Sequence, residues 1–311
     1  MRRELIAVVG PTCTGKGALA MALADALGGP AAVSLVVCDS AKIYRGADVG
    51  TAKVTGAARR GYEFFMVDVV EPGVPYSAGR YMSEGRAACE ALWRRGKSPL
   101  LVGGTGLYFR ALLDGICEAP SADAAVRTAL RAREAAGEDL HGYLSEVDAE
   151  TAARISPADK QRIVRALEVF ELTGEPLTKI RKKGNRPLEA DGVVVALDGP
   201  RPWLLERIEL RTRRMLAAGL LAETRRLLAR VERPEAPPLN AIGYRQMVQL
   251  LRGELDEEAA AAQVVAETRR LAKRQRTWFK RERRAKWLDA AKGTDALVDE
   301  ALKLLPTGLK K

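Results

Sequence analysis

Short apolar runs alternate with amphipathic stretches through the first third of the chain: LIAVV from Leu5, VSLVV from Val33, FFMVDVV from Phe64 and PLLVGG from Pro99. Continuous apolar runs of this length, separated by segments of helical periodicity, predict a parallel sheet covered on both faces by crossover helices. From Glu118 to Arg186 the strand signals stop and charged helical stretches take over, until VVVALDG at Val193 restores a buried strand. The pattern predicts an α/β core, residues 1–117 and 187–311, with a helical insertion at residues 118–186. Beyond Pro202 the chain is mostly helical, with turns at Gly219, Pro234 to Pro238 and Gly253. In the segment Glu257 to Trp287, Val264, Thr268, Leu271, Gln275 and Trp278 recur at steps of three and four. That spacing places one semi-apolar stripe along a long helix whose other faces are basic.

Composition narrows the class. Apolar residues make up 47% of the chain, yet no stretch approaches the roughly 20 uninterrupted apolar residues of a membrane helix, so burial belongs to a globular core. MRRELIAVVG begins like a secretory leader, but its apolar run is about five residues and ends in Gly-Pro, which reads as a first strand. Cys13, Cys38, Cys89 and Cys117 lack metal-ligand spacing, and His141 is the sole histidine, so a reducing cytoplasm and no structural metal are expected. The 51 Lys and Arg against 40 Asp and Glu give +11, which favours a polyanionic partner. The charge is concentrated: between Thr268 and Trp287 the only acid is Glu282, and Trp278 and Phe279 interrupt a basic run. Lys310 and Lys311 read as a short basic tail.

GPTCTGKG, residues Gly10, Pro11, Thr12, Cys13, Thr14, Gly15, Lys16 and Gly17, follows a predicted strand and opens a predicted helix, the context a P-loop requires. Backbone N–H groups of such a loop and the helix dipole form an anion cradle that a lysine completes. One position departs: where the motif calls for a Ser or Thr hydroxyl to ligate Mg²⁺, the chain has Gly17. Asp39 should sit at the carboxyl end of the second strand, where ligands of open α/β sheets collect, although an Asp there could equally cap a turn with Ser40. VGGTGLYFRAL from Val102 is another strand, glycine turn and helix, with Thr105 opening the helix, and its glycines could serve only close packing.

These strings occur together and in order. GPTCTGKGALA, DSAKIYRGADVGTAK, VGGTGLYFRALLDG, RIVRALEVFELTGEPL, ERIELRTRRMLAAGLLAE, NAIGYRQM and TRRLAKRQRTWFKR resemble the successive motifs of the bacterial tRNA dimethylallyltransferases, over nearly the whole chain. The resemblance implies a P-loop core and transfer of a dimethylallyl group from dimethylallyl pyrophosphate to N6 of the adenine 3′ to the anticodon, with Mg²⁺ as cofactor, by a monomer. It implies that the loop and Lys16 hold the pyrophosphate, that Thr12 reaches its bridging oxygen, and that Asp39 accepts a proton from the amine. Arg211 is the choice for a further cation, with Arg207 one turn earlier as the second candidate. For the tRNA anticodon stem-loop, matched positions are Asp39, Ser40, Ala41, Lys42, Thr105 and Arg127, then Gln161, Arg162, Ile163, Val164 and Arg165. Asn240, Ala241, Ile242, Gly243, Tyr244 and Arg245, with Lys273 and Arg274, complete the set. Each arginine alone could be a solvated helix face.

Besides Gly17, the chain departs from the pattern at Lys42, where relatives usually carry Gln or an apolar residue, and at Phe64-Phe65, where they often carry a His-containing pair. These departures leave room for a paralogue that binds tRNA with little or no transfer, and the P-loop alone would also suit a small-molecule or nucleotide kinase. The kinase reading needs the Mg²⁺ ligand that Gly17 lacks and leaves the basic helix unexplained.

Overall fold

The apolar runs become strands wherever backbone partners flank them. The computed structural model describes residues 3–117, 119–120 and 122–305. Glu118, the expected first residue of the insertion, and Lys310 and Lys311 lie outside the described residues. In chain order come β1 (Glu4–Val9), α1 (Lys16–Ala26), α2 (Gly29–Ala32), β2 (Val33–Cys38), β3 (Phe64–Phe65), α3 (Ala78–Arg94), β4 (Ser98–Gly103) and α4 (Gly106–Asp114). A helical stretch follows: α5 (Ala124–Ala135), α6 (Leu140–Val147), α7 (Ala149–Ala152), α8 (Lys160–Thr173) and α9 (Leu177–Lys182). The chain closes with β5 (Asp191–Asp198), α10 (Arg201–Ala217), α11 (Leu220–Leu228), α12 (Tyr244–Leu251), α13 (Glu257–Phe279), β6 (Ala285–Asp289) and α14 (Thr294–Leu304).

The expected α/β architecture is present. Six strands form one sheet in the order β3-β2-β4-β1-β5-β6, and every pairing is parallel. Ile6 and Val8 of β1, Leu35 and Val37 of β2 and Leu100 of β4 pack with Leu19 and Leu23 of α1 and Leu297 of α14. Because β1 to β2 and β3 to β4 run in opposite directions across the sheet, right-handed crossovers put α1 and α3 on opposite faces. The carboxyl ends of β1, β2, β4 and β5 therefore open on one edge, and three sequence motifs follow three of those ends.

Helix starts are written locally. Ser77 caps α3, and Asp123, Asp139, Asp148, Asp159 and Asp256 cap α5, α6, α7, α8 and α13, each accepting from backbone N–H groups. Helix α1 instead follows Gly15 in the left-handed region with no side-chain cap, which leaves its first N–H donors for an anion.

Two sequence expectations are corrected. FFMVDVV joins the sheet only at Phe64–Phe65, with Val70 making a separate bridge to Tyr44, because Met66 (φ 61°) and Asp68 (φ 56°) turn left-handed, and Asp68 leaves the sheet to pair with Lys53 at 2.6 Å. The basic segment is not one helix to Trp287: α13 ends at Phe279 and Ala285–Asp289 joins the sheet edge beside β5. A five-residue edge strand with its exposed side chains carries no period-two signal strong enough to read through a charge run.

The described chain divides into two compact units, Met1–Leu112 with Glu189–Lys311, and Leu113–Leu188. The second has its own core of Leu130, Leu144, Ile163, Leu167 and Ile180 among others. No helix among the described residues is long and apolar enough to cross a membrane.

Candidate active site

The loop after β1 is shaped by residues that tolerate little else. A Cβ on Gly10 (φ 130°) would sit 2.3 Å from the Leu197 carbonyl oxygen of β5. Cys13 (φ 66°) and Gly15 (φ 86°) take left-handed conformations that curl the chain into the helix start. Thr14 donates its hydroxyl to Pro11 O at 2.9 Å, and Lys16 Nζ donates to the same carbonyl at 2.5 Å. Burial pushes the Lys16 ammonium down to about 7; Arg211 and Lys42 push the same way, and Cys13 and Asp39 oppose them. A bound anion would restore its charge. No atom lies within 4 Å of a Cβ built on Gly17, so nothing but the missing side chain separates this position from the usual hydroxyl.

Both candidate arginines reach the loop from α10. Arg211 Nη1 donates to Thr12 Oγ1 at 2.9 Å, and its Nη2 lies 3.5 Å from Thr51 O. Arg207 Nε donates to Cys13 O at 2.8 Å, with its guanidinium over the Trp203 ring at 4.8 Å. Because guanidinium has no lone pair to accept with, Thr12 Oγ1 must be the acceptor and keeps its own proton to give elsewhere.

Asp39 follows β2. Its Oδ1 accepts from Ala41 N at 2.9 Å, so it does cap a turn, and it also faces the same cavity as Thr12, Lys16 and Arg211. Ser40 N donates to Thr105 Oγ1 at 3.0 Å while Thr105 N donates to Cys38 O at 3.1 Å, stitching the end of β2 to the turn after β4. Lys42 Nζ donates to Ala52 O at 3.0 Å, and burial, reinforced by Arg211 and Lys53 against Asp39, lowers its pKa.

The glycines of VGGTG serve approach. A Cβ on Gly103 would fall 2.0 Å from Cys38 O, on Gly104 2.4 Å from Gln275 Nε2, and on Gly106 2.2 Å from the Trp278 ring. Helix α13 thus rests directly on this turn. The stripe Val264, Thr268, Leu271 and Gln275 lines the cavity, of about 930 Å³, so its mixed polarity suits a site wall. Phe64 lines it too, with Arg59 over its ring at 5.4 Å.

The remaining positions sort by burial. Lys273 and Arg274 of α13 are exposed, Asn240 before α12 and Arg245 within it are exposed too, and Ala241 and Ile242 line the cavity. Arg245 is paired with Glu267. Tyr244 is a correction: it is fully buried, donating to Glu223 Oε1 at 2.7 Å, so its side chain packs beneath the surface, as Gly243 does. Ile163 and Val164 are likewise core residues of the second unit, because α8 turns that face inward, whereas Gln161 and Arg162 are exposed. Arg127 and Arg165 close on Glu168 at 2.8 and 2.6 Å.

Three site residues escaped the sequence reading. Glu223 accepts from the backbone N–H groups of Asp48, Val49 and Gly50 as well as from Tyr244. Lys53, almost fully buried, ties Tyr44 O, Asp48 and Asp68. Gln275, placed only in a stripe, accepts from Thr12 N at 2.7 Å and donates to Gly104 O at 2.9 Å. The strings GADVGTAK and LLAE contain the first two, but nothing local marks them as partners. Among the described residues, no three His, Cys, Asp or Glu gather as a metal site.

A parallel sheet whose first strand feeds a glycine-rich loop, a half-buried lysine and an uncapped helix, with two arginines reaching that loop, defines an α/β protein of P-loop NTPase-like fold. The family model described as IPP transferase matches residues 42–282. A tRNA dimethylallyltransferase of Halorhodospira halophila is 44% identical over 285 residues, covering 90% of this chain and 91% of that protein. The tRNA dimethylallyltransferase 1 of Trichlorobacter lovleyi is 41% identical over 291 residues, covering 93% and 94%. Among solved structures, the full-length tRNA isopentenylpyrophosphate transferase of Bacillus halodurans matches with a TM-score of 0.70 and 31% identity, covering 97% and 96%. The chain belongs to the tRNA dimethylallyltransferase family.

Proposed function

We propose that this enzyme transfers a dimethylallyl group from dimethylallyl pyrophosphate to N6 of the adenine 3′ to the anticodon of tRNA. The carrying observation is that Thr12, Lys16, Arg211 and Asp39, from two strand ends and a helix, open on one cavity. In the reaction the bond between the allylic carbon and the pyrophosphate oxygen breaks, the N6–carbon bond forms, and one N6 proton is lost. The loop amides, Lys16 and Arg211 stabilise charge on the departing pyrophosphate. Thr12, its oxygen held by Arg211, has its hydroxyl proton to offer the bridging oxygen. As the new bond forms, positive charge on N6 makes its proton acidic enough for the Asp39 carboxylate to take. Products are the prenylated adenine, pyrophosphate and a proton.

An adenine stacked in an anticodon loop cannot reach Asp39, so the base must be extruded into the cavity. Asp39, Ser40, Ala41, Lys42 and Thr105 surround the base end. Lys273, Arg274, Asn240 and Arg245 offer exposed cationic or polar side chains to the stem-loop backbone, and within the second unit Gln161 and Arg162 are exposed as well. Arg127 and Arg165 would contribute only while shared with Glu168. The chain's own donors fit Mg²⁺ poorly: Gly17 has no hydroxyl and Asp39 is committed to the Ala41 turn and the amine. Mg²⁺ would be held by pyrophosphate oxygens and water, and no step is assigned to it. We take the enzyme to act as a monomer in the cytoplasm, where its four free thiols would stay reduced.

Mass spectrometry of nucleosides from tRNA incubated with the purified protein and dimethylallyl pyrophosphate tests the reading. An N6-dimethylallyl adenosine is expected. Bound but unaltered tRNA would overturn the transfer, and ADP release from ATP would point to a kinase.

A further inference from the structure

We infer that Gln275 is a positioning residue that couples the basic helix α13 to the donor loop by holding Thr12; this rests on the transfer reading above. Both ends of its amide are committed. Oε1 accepts from Thr12 N at 2.7 Å and Nε2 donates to Gly104 O at 2.9 Å. The orientation follows from chemistry, since a backbone N–H can only donate and a carbonyl can only accept. One side chain of α13 therefore pins the loops that follow β1 and β4.

Thr12 is held twice. Gln275 takes its amide, and Arg211 takes its hydroxyl oxygen at 2.9 Å. The Thr12 N–H is consequently spent on Gln275 and does not join the anion cradle; what Gln275 contributes is the place of the Thr12 hydroxyl. Gly104 must lack a side chain for this to work, because a Cβ there would lie 2.4 Å from Nε2. On the same helix Lys273 and Arg274 are exposed, turned about 200° and 100° away from Gln275 at 100° per residue. RNA phosphates drawn to that outer face press on a helix whose inner face sets the donor loop, so docking of tRNA and alignment of the leaving group share one rigid element.

The test is a double-mutant cycle between Gln275→Ala and Thr12→Ala, read as single-turnover transfer rate, tRNA affinity and KM for dimethylallyl pyrophosphate. Gln275→Ala should lower kcat about 10- to 100-fold, the scale of a misplacement near 1 Å, with tRNA affinity within about twofold. In the Thr12→Ala background the same change should cost less than about threefold. Gly104→Ala, which crowds the amide out, should reproduce the kcat loss and add little to Gln275→Ala. Additive losses in the cycle would overturn the role and make Gln275 a general packing residue. A loss of tRNA affinity at unchanged kcat would also overturn it and make Gln275 an RNA-binding residue. Wild-type transfer is the control: if it is absent, the reaction reading fails and this inference falls with it, whereas an active wild type with additive losses overturns the role of Gln275 alone.

Discussion

Arg211 on α10 and Arg127 on α5 are both partly buried helix arginines, yet their surroundings give them opposite uses. Arg211 meets a hydroxyl, a thiol and a carbonyl, and no carboxylate is bonded to it among the described residues. Its charge is left over for a ligand, and Lys16, Lys42 and Arg207 line the same cavity. Arg127 and Arg165 instead close on Glu168, whose side chain is completely buried and also accepts from Asp123 N at 2.7 Å. There one buried carboxylate is shared by both guanidinium groups, which offsets part of their charge and ties the unit together. Countercharge, not residue type, separates a binding arginine from a structural one.

The largest effect should come where the comparison meets chemistry. Asp39→Ala should slow the chemical step by roughly 10²- to 10⁴-fold, the span of a positioned general base, with tRNA affinity little changed. Single-turnover rates equal to the wild type would remove Asp39 from the mechanism.

The two arginine environments can then be set against each other directly. Arg211→Ala should cost about 10²- to 10³-fold in transfer, the range for losing one preorganised donor, with no fall in Tm. Glu168→Ala should do the reverse: a loss of about 2–3 kcal/mol in stability, below that of a fully buried pair because both arginines are about one-third exposed, with the folded protein still transferring. Burial raises the Glu168 carboxyl, but hydrogen bonds from Arg165 and Arg127 outweigh it and hold it below the ordinary range. Its contribution is thus full above the unfolded value of about 4.3 and is lost as pH falls through the lowered one. Urea melts across that window check both the size and the sign.

Lys16 should make pyrophosphate binding pH-dependent. Free, it loses its proton near 7; bound, it returns toward the ordinary lysine range, so binding takes up a proton above pH 7. Affinity should fall as pH rises from about 7, by at most about tenfold per unit. Lys16→Arg, always charged, should show a shallower fall than the wild type. Calorimetry in buffers of different ionisation heat measures the proton directly, and zero uptake would mean Lys16 is already charged.

Gly17→Thr should lower the Mg²⁺ needed for half-maximal transfer and raise the rate by about 10-fold or less, since about 1 kcal/mol is within reach of one added ligand and the position is open. An unchanged Mg²⁺ titration would mean that the pyrophosphate and water already satisfy the ion. The smallest effect concerns the exposed cations: Lys273→Ala or Arg274→Ala should each flatten the slope of log tRNA affinity against log salt by about one unit for every phosphate the side chain neutralises. Arg127→Ala should flatten it less, because Glu168 already offsets part of that charge. Equal slopes for all three would erase the distinction between the two environments.

Local patterns were sufficient wherever the determinant is local. The apolar runs at Leu5, Val33, Pro99 and Val193 became buried parallel strands, because a strand flanked on both sides and covered on both faces must be apolar throughout. GPTCTGKG announced its own turn, since left-handed positions and an uncapped helix start are encoded within a few residues. The family, too, was legible from the order of the strings.

What the chain could not announce by itself are facts of distance and countercharge. Gln275 reads as a polar gap in an apolar stripe until α13 is laid across the turn after β4, and then it bridges two loops more than 90 residues apart in sequence. Glu223 reads as a helix acid until the loop at Asp48 to Gly50 folds onto it. Tyr244, Ile163 and Val164 sit inside motifs yet point inward, because a helix has two faces and a motif covers both. Residue types and short spacings determined the scaffold and the chemistry available to this protein. Which side chains face the cavity, and which charges remain unspent there, was decided only when the strand ends and α13 met, since burial and pairing depend on neighbours that sequence distance hides.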